Sequence, residues 1–150
     1  MKRPFFLYLL FALHLFIGLN ASAGGALMII KPDGSLLGMQ PEWLVNSPFE
    51  NYFIPGLILF FLLGIFPLFV FYGLLRKPEL KALNILNIYK DMHWAWACSI
   101  YTGVVIISWI IVQLLMTRYF WLQPVIISVG LLILVFTLMP GIINYYKKLS

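Results

Sequence analysis

Four long apolar stretches, separated by shorter polar ones, fill most of this 150-residue chain. A helix that crosses the hydrocarbon core of a bilayer needs about 20 apolar residues, and each stretch has that length. None alternates apolar and polar residues as a barrel strand would. The pattern predicts an all-α, polytopic membrane protein: one domain over residues 1–150, with a bundle of four transmembrane helices. The helices are expected at about residues 4–30, 53–75, 93–116 and 124–146.

Composition supports this class and removes others. The chain is 63% hydrophobic and 10% charged, whereas a soluble domain is about half apolar and a quarter charged. The bilayer is therefore the first expected partner. The net charge of +5 does not indicate nucleic acid, because the basic residues stand at the ends of apolar stretches rather than in one patch. Cys98 is the only cysteine, which excludes an intrachain disulfide and a CxxC redox site.

The basic residues also predict an orientation. In a four-span chain, Lys31 and Arg118 fall on one side of the membrane and the other eight Lys and Arg residues fall on the opposite side. Cytoplasmic loops carry the excess of Lys and Arg, so both termini are expected in the cytoplasm, in a cell's inner membrane. The eight residues are Lys2, Arg3, Arg76, Lys77, Lys81, Lys90, Lys147 and Lys148.

The first stretch has a second interpretation as a cleaved signal peptide covering residues 1–23. Lys2 and Arg3 would form its positive start, and Ala21-Ser22-Ala23 matches the A-x-A cleavage pattern. Apolar residues resume after this pattern and continue to Ile30. A retained transmembrane helix is therefore the favoured interpretation, and the alternative stays open.

The predicted outer loop, residues 31–52, carries signals of local order. Pro41 suits the first turn of a short helix, and Ser47 and Glu50 have the spacing of a capping box. With apolar side chains such as Trp43, the loop is expected to be ordered and interfacial, with a ligand lid as the alternative. On the other side, residues 78–91 mix apolar positions with lysines and asparagines, which predicts a short amphipathic helix on the cytoplasmic leaflet.

Small residues follow one face of the first helix. His14, Gly18, Ala21 and Gly25 are spaced by four, three and four residues, which predicts a close packing seam. His14 itself falls near the bilayer centre, where an ionisable side chain is a functional hypothesis by default. A helix–helix hydrogen bond is its leading interpretation, ahead of a proton relay or ligand contact. Haem with two axial histidines is disfavoured, because the other histidine, His93, belongs at the membrane edge.

The third helix predicts a polar pocket. One face carries small and polar side chains, and the opposite face is aliphatic and should meet lipid. Asn20 and Gln113 both fall in the outer half of the bundle. We therefore hypothesise a cavity lined by Asn20, Trp109 and Gln113 that opens outward under the loop. The candidate ligand-binding residues are His14, Asn20, Trp43, Trp109 and Gln113; no catalytic residue, metal site or cofactor is predicted.

Several motifs resemble a family of small, uncharacterised four-helix bacterial integral membrane proteins. The likeness covers most of the chain, and it implies the fold and location above but no activity. There is also a looser likeness of topology to the DoxX-like proteins. The motifs are Leu37-Gly38-Met39, Trp43-Leu44, Ser47-Pro48-Phe49 and Ile54-Pro55-Gly56, then His93-Trp94-Ala95-Trp96 with Gly103, Trp109 and Gln113.

Three functions compete. The leading one is a non-catalytic protein that binds a lipid or apolar small molecule, or serves as an accessory subunit of a membrane-protein partner. The second is a membrane-embedded enzyme acting on a quinone or lipid, for which His14, His93, Glu42 and Glu50 are the acid–base candidates. The third is a transporter, which would need a homo-oligomer because four helices leave little room for a conduit.

Overall fold

The computed structural model describes residues 2–148, and its regular structure there is helical. Three helices are long and apolar enough to cross a membrane: α1 (Phe5–Ile30), α2 (Phe53–Arg76) and α3 (Trp94–Met116). A further pair, α4 (Leu122–Thr137) and α5 (Pro140–Tyr146), is bent by 66° at its break and makes a fourth span if both halves cross together. The predicted class, an all-α protein embedded in a membrane, is confirmed at this level.

Successive helices run in opposite directions, so their termini gather at two ends. At one end the Arg3 guanidinium donates to Leu75 O at 3.0 Å, and Tyr146 Oη donates to Leu74 O at 2.5 Å. We call this the Lys77 end; it comprises residues 2–4, 76–93 and 147–148. The opposite end, called the Tyr52 end, comprises residues 31–52 and 117–121.

Helix α1 packs on α2 through direct backbone contact at glycines. A Cβ atom on Gly25 would lie 2.6 Å from Phe60 N and 2.8 Å from Gly56 O, and one on Gly64 would lie 2.8 Å from Ser22 N. Lipid gives apolar helices no hydrophobic reason to associate, so close packing at small residues must supply the attraction. The predicted seam on the first helix is confirmed.

Helices α3 and α4 cross in the same manner. A Cβ on Gly103 would lie 3.0 Å from Gly130 O, and one on Gly130 would lie 3.3 Å from Gly103 O. The inward face of α3 is as predicted, since Ser99 and Thr102 are buried. On the opposite face, Val104 is 49% exposed, as expected for a side chain that meets lipid.

Two irregularities occur at prolines. Residues Leu59–Ile65 of α2 form a π-helical segment, in which Phe66 N donates to Phe61 O five residues back. Pro67 follows at once; it cannot donate to the carbonyl four residues back, and the wider turn leaves room for its ring. Pro140 starts α5 beyond the 66° break that follows α4.

The loop at the Tyr52 end is ordered by single turns. Ser35–Leu37 and Pro41–Leu44 are 3₁₀ helices, which confirms the short helix expected at Pro41. The predicted capping box does not start a helix. Ser47 Oγ instead donates to Leu44 O at 2.8 Å and accepts from Phe49 N at 3.3 Å, which closes a local turn.

The amphipathic helix expected over residues 78–91 is absent from the described chain, where one 3₁₀ turn, Lys81–Asn84, stands in its place. The reason lies in Asn87, which competes for the backbone. Its Oδ1 accepts from Tyr89 N at 3.0 Å and its Nδ2 donates to Met92 O at 2.8 Å. The apolar positions of this segment are correspondingly exposed, and Ile85 is 82% accessible.

Replacement of Gly25 by alanine should lower the free energy of unfolding by about 1–3 kcal/mol, because the new methyl group meets backbone atoms that cannot turn away. Gly24→Ala is the matched control, since a Cβ there meets only a leucine methyl at 3.5 Å and alanine favours helix by about 1 kcal/mol. Unfolding in mixed dodecyl maltoside and SDS micelles measures both. Equal stability of the two variants would contradict the backbone contact.

Candidate functional site

A chain of hydrogen bonds joins three helices through His14. The imidazole is fully buried; its Nδ1 lies 2.9 Å from Leu10 O, and its Nε2 lies 3.3 Å from Ser99 Oγ. Ser99 Oγ lies 2.7 Å from Thr137 Oγ1, which donates to Ile133 O at 2.6 Å. The chain thus runs from a carbonyl of α1 through α3 to a carbonyl of α4.

The proton positions in this chain follow from its two carbonyl ends. Leu10 O only accepts, so His14 Nδ1 carries the proton of the neutral ring and Nε2 is an acceptor. Thr137 gives its proton to Ile133 O, which leaves the Ser99 proton to serve both Nε2 and Thr137 Oγ1. A partner for His14 on another helix is the leading interpretation made from the sequence, and the structure confirms it.

The same network lies at the break between α4 and α5. Thr137 is the final residue of α4, and its carbonyl oxygen accepts from Trp96 Nε1 at 2.8 Å. A helix end inside an apolar bundle leaves carbonyl groups without partners, and each costs free energy unless another donor is supplied. Trp96 supplies that donor, so the break is stabilised by α3 rather than left strained.

The other predicted site residues lie apart from His14. Asn20 is exposed on α1, and its Nδ2 donates to Phe16 O of the same helix at 2.8 Å. Gln113 is half-buried near the end of α3. Trp43, in the loop at the Tyr52 end, stacks on Phe120 with ring centroids 6.3 Å apart. The structure therefore ties the loop to the α3–α4 connection and leaves Asn20 on the outside.

Trp109 and Gln123, near the Tyr52 end, are two of five residues with a buried side-chain atom that has no hydrogen-bond partner among residues 2–148; the others are Ser22, Asn84 and His93. The unpaired atoms are Trp109 Nε1 and Gln123 Nε2. Gln123 is 1% exposed, and its Oε1 accepts from Phe120 N at 3.2 Å. Sequence reasoning missed Gln123 because it lies at the edge of an apolar stretch; a polar side chain in the first helical turn after a connection is the available signal.

The two donors lie at similar depth. Helices α3 and α4 cross at Gly103 and Gly130. Trp109 is six residues beyond this crossing on one helix, and Gln123 is seven beyond it on the other. At 1.5 Å per residue, both lie about 10 Å from the crossing toward the Tyr52 end. Gln123 is also two turns from Gly130, so it shares the face of α4 that packs on α3.

Two cavities border the loop at this end, with volumes of about 350 and 400 Å³. Both are lined by Pro32, Glu50 and Asn51, and none of the predicted site residues lines either one. Asp33, in the smaller cavity, accepts from Ser35 N at 2.9 Å, and this hydrogen bond holds the pKa of Asp33 below its usual value. Within residues 2–148, no three His, Cys, Asp or Glu side chains are grouped to hold a metal ion.

Comparison with known proteins gave no match to a family model, a curated protein or a solved structure. The fold and its polar groups define a helical protein embedded in a membrane. The resemblance to small four-helix bacterial membrane proteins stays a prediction.

Ser99→Ala should lower the free energy of unfolding by about 1–3 kcal/mol, since it leaves the buried His14 Nε2 and Thr137 Oγ1 without a shared partner. The matched control is Ser128→Ala on α4, an exposed serine that donates only to Pro124 O of its own helix. Denaturant titration in mixed micelles measures both. A loss of stability in Ser128→Ala as large as that in Ser99→Ala would contradict a role for the network in joining the helices.

Proposed function

We propose that this chain is a non-catalytic, four-span protein of a bacterial inner membrane that binds an apolar small molecule. Its ligand carries acceptor oxygens, such as the carbonyl groups of a quinone or of an acylglycerol. The binding site is the part of the α3–α4 hairpin near the Tyr52 end that contains Trp109 and Gln123. Both termini lie in the cytoplasm, so the Tyr52 end faces outward.

The observation that supports a bound ligand is the presence of two buried N–H groups without acceptors, on Trp109 and Gln123. A buried donor left unpaired costs about 1–3 kcal/mol, so each such group in a native structure calls for a partner. A carbonyl oxygen from a bound molecule would satisfy either group. The surroundings favour an apolar molecule, because the nearby positions of α3 include Ile110, which is 4% exposed, and Ile106, which is fully buried.

The proposed topology is supported by the distribution of basic residues and by the bent helix pair α4 and α5. Helices α4 and α5 together cover residues 122–146, long enough for one broken span. With four spans, eight basic residues fall at the Lys77 end and two at the Tyr52 end. Retention of the first helix is supported by its packing: Leu7, Leu10 and His14, which cleavage would remove, are fully buried in the bundle.

An enzyme receives less support. His14 and Ser99 have the proximity of a base and a nucleophile, but neither side chain has any exposed surface. A substrate would have to separate α1 from α3 to reach them. The network is better explained as a satisfied joint between helices, which leaves binding rather than catalysis as the favoured function.

Native mass spectrometry of the protein extracted gently from its membrane tests the ligand. We expect an apolar adduct, and we expect added ubiquinone or diacylglycerol to bind. Trp109→Phe and Gln123→Leu should each weaken binding by roughly tenfold, because each removes one donor. Asn20→Leu is the matched control and should bind as the unaltered protein does, since Asn20 faces outward. Unchanged binding by the Trp109 and Gln123 variants would refute the site.

Cysteine accessibility tests the orientation. Cys98 is the only cysteine and is 4% exposed. The Cys98→Ala variant therefore has no thiol to react, and single cysteines can be introduced into it. In intact cells, a membrane-impermeant maleimide should label Ser35→Cys and leave Lys81→Cys unlabelled until the membrane is opened. Both positions are exposed in the structure, so each controls for the other. The reverse pattern would place the termini outside.

A further inference from the structure

Lys77 is held in an unusual position at the end of α2. Its backbone is left-handed, with φ 50°, a conformation that costs a side-chain-bearing residue free energy. Lys77 Nζ donates to Tyr145 O at 2.8 Å and lies over the Tyr145 ring, 3.4 Å from its centroid. It also lies 4.6 Å from the centroid of Tyr146. An ammonium group has three protons, so protons remain for another acceptor.

His93 offers a second donor beside the same aromatic ring. It precedes α3 as its N-cap, and its Nδ1 accepts from Ala95 N at 3.2 Å. The ring proton is therefore on Nε2. His93 is 6% exposed, and Nε2 is buried with no acceptor in the described part of the chain. The His93 and Tyr146 ring centroids are 6.4 Å apart.

One backbone acceptor lies near His93. Pro78 O accepts from Trp94 Nε1 at 2.8 Å and lies close to the imidazole, but it does not reach hydrogen-bonding geometry with Nε2. The charges that act on His93 are those of Glu79, Lys77 and Lys148. Burial lowers the pKa of His93 from its usual value of 6.5, so at neutral pH the ring is uncharged and presents one N–H.

The local charge favours an anion. Arg3, Arg76, Lys77, Lys147 and Lys148 gather at this end of the bundle, against the acids Glu79 and Asp91. Exposed apolar side chains lie in the adjoining segment: Leu86 is 61% exposed and Ile88 is 70% exposed. Basic groups beside exposed apolar groups, at the ends of spans, match a molecule with an anionic head and acyl chains.

We propose that the Lys77 end binds one anionic phospholipid, whose phosphate oxygens accept from His93 Nε2 and Lys77 Nζ. The site is distinct from the carbonyl-binding site proposed at the Tyr52 end, and it requires only that the Lys77 end lie at a membrane surface. The acyl chains would lie along the exposed apolar side chains of residues 80–88. The left-handed turn at Lys77 has a role here, since the ammonium group that follows it lies over the rings of Tyr145 and Tyr146.

Phosphatidylglycerol binding to the full-length protein in dodecyl maltoside tests this proposal, because the micelle has no charged leaflet to attract lysines in general. Native mass spectrometry counts the bound lipids, and ¹⁵N-labelled imidazole NMR follows Nε2 of His93. We expect one retained phosphatidylglycerol and a shift of the His93 resonance, with weak binding of phosphatidylcholine. The chain has two histidines, and the signal that disappears in His93→Ser is assigned to His93.

Lys77→Met and His93→Ser should each weaken phosphatidylglycerol binding by roughly tenfold, the usual effect of losing a hydrogen bond to a charged group. Serine preserves the N-cap of α3 while removing Nε2. Lys81→Met is the matched control; it removes an exposed lysine from the same end and should change binding less than twofold. Each variant's unfolding without lipid is compared with the unaltered protein, so that loss of fold is not read as loss of binding.

Three results would overturn the proposal. An equal loss in Lys77→Met and Lys81→Met would indicate attraction without a site. An unshifted His93 resonance in saturated protein would exclude Nε2 as a donor. An equal shift of the His93 resonance with glycerol 3-phosphate at the same concentration would mean that the site binds a soluble phosphate rather than a lipid. These three results do not depend on ubiquinone binding at the Tyr52 end. Failure of one proposed site would therefore not be mistaken for failure of the other.

Discussion

The fold depends on helix backbones coming into contact at glycines. Water drives apolar helices together, but lipid does not, and two bulky apolar faces gain little by exchanging lipid for each other. At Gly25 against Gly56, and at Gly103 against Gly130, the chain removes the side chain and lets backbone atoms touch. Each contact makes one hairpin, α1 with α2 and α3 with α4. The remaining interactions decide how the two hairpins join.

The joint between hairpins contains a polar network, which lies at the break between α4 and α5. A straight helix through Thr137 would use that residue's carbonyl oxygen internally. Because the helix stops there, the carbonyl is free to accept from Trp96, and the hydroxyl of the same residue meets Ser99. His14 extends the connection to α1. Pro140 and Trp96 therefore have complementary roles: the proline prevents α4 from continuing, and the indole donates to the carbonyl group left at its end.

The sequence predicts the three long membrane helices, the glycine seam and the partner role of His14 because each depends on spacing along one helix. The helical period and the size and polarity of the side chains indicate which face of a helix is buried. Ser99 is buried and Val104 is exposed, as this pattern predicts. The shape of the segment around Asn87 was mispredicted, since its apolar pattern fits a helix while the asparagine binds the backbone of its own turn. Gln123 was missed because its burial depends on a neighbouring helix, and single-helix patterns do not reveal which residues two helices share.

Buried polar groups in this bundle are of two kinds. His14, Ser99 and Thr137 have partners on other helices, and their hydrogen bonds stabilise the fold. Others have no partner among the described residues: Ser22 Oγ lies in the α1–α2 seam, whereas the N–H donors of Trp109 and Gln123 lie toward the Tyr52 end and that of His93 lies at the Lys77 end. Molecules from the bilayer can approach the ends of a closely packed bundle without separating its helices. A chain that binds lipid-like molecules at its ends can therefore keep its centre fixed, which is the arrangement that tight glycine contacts require.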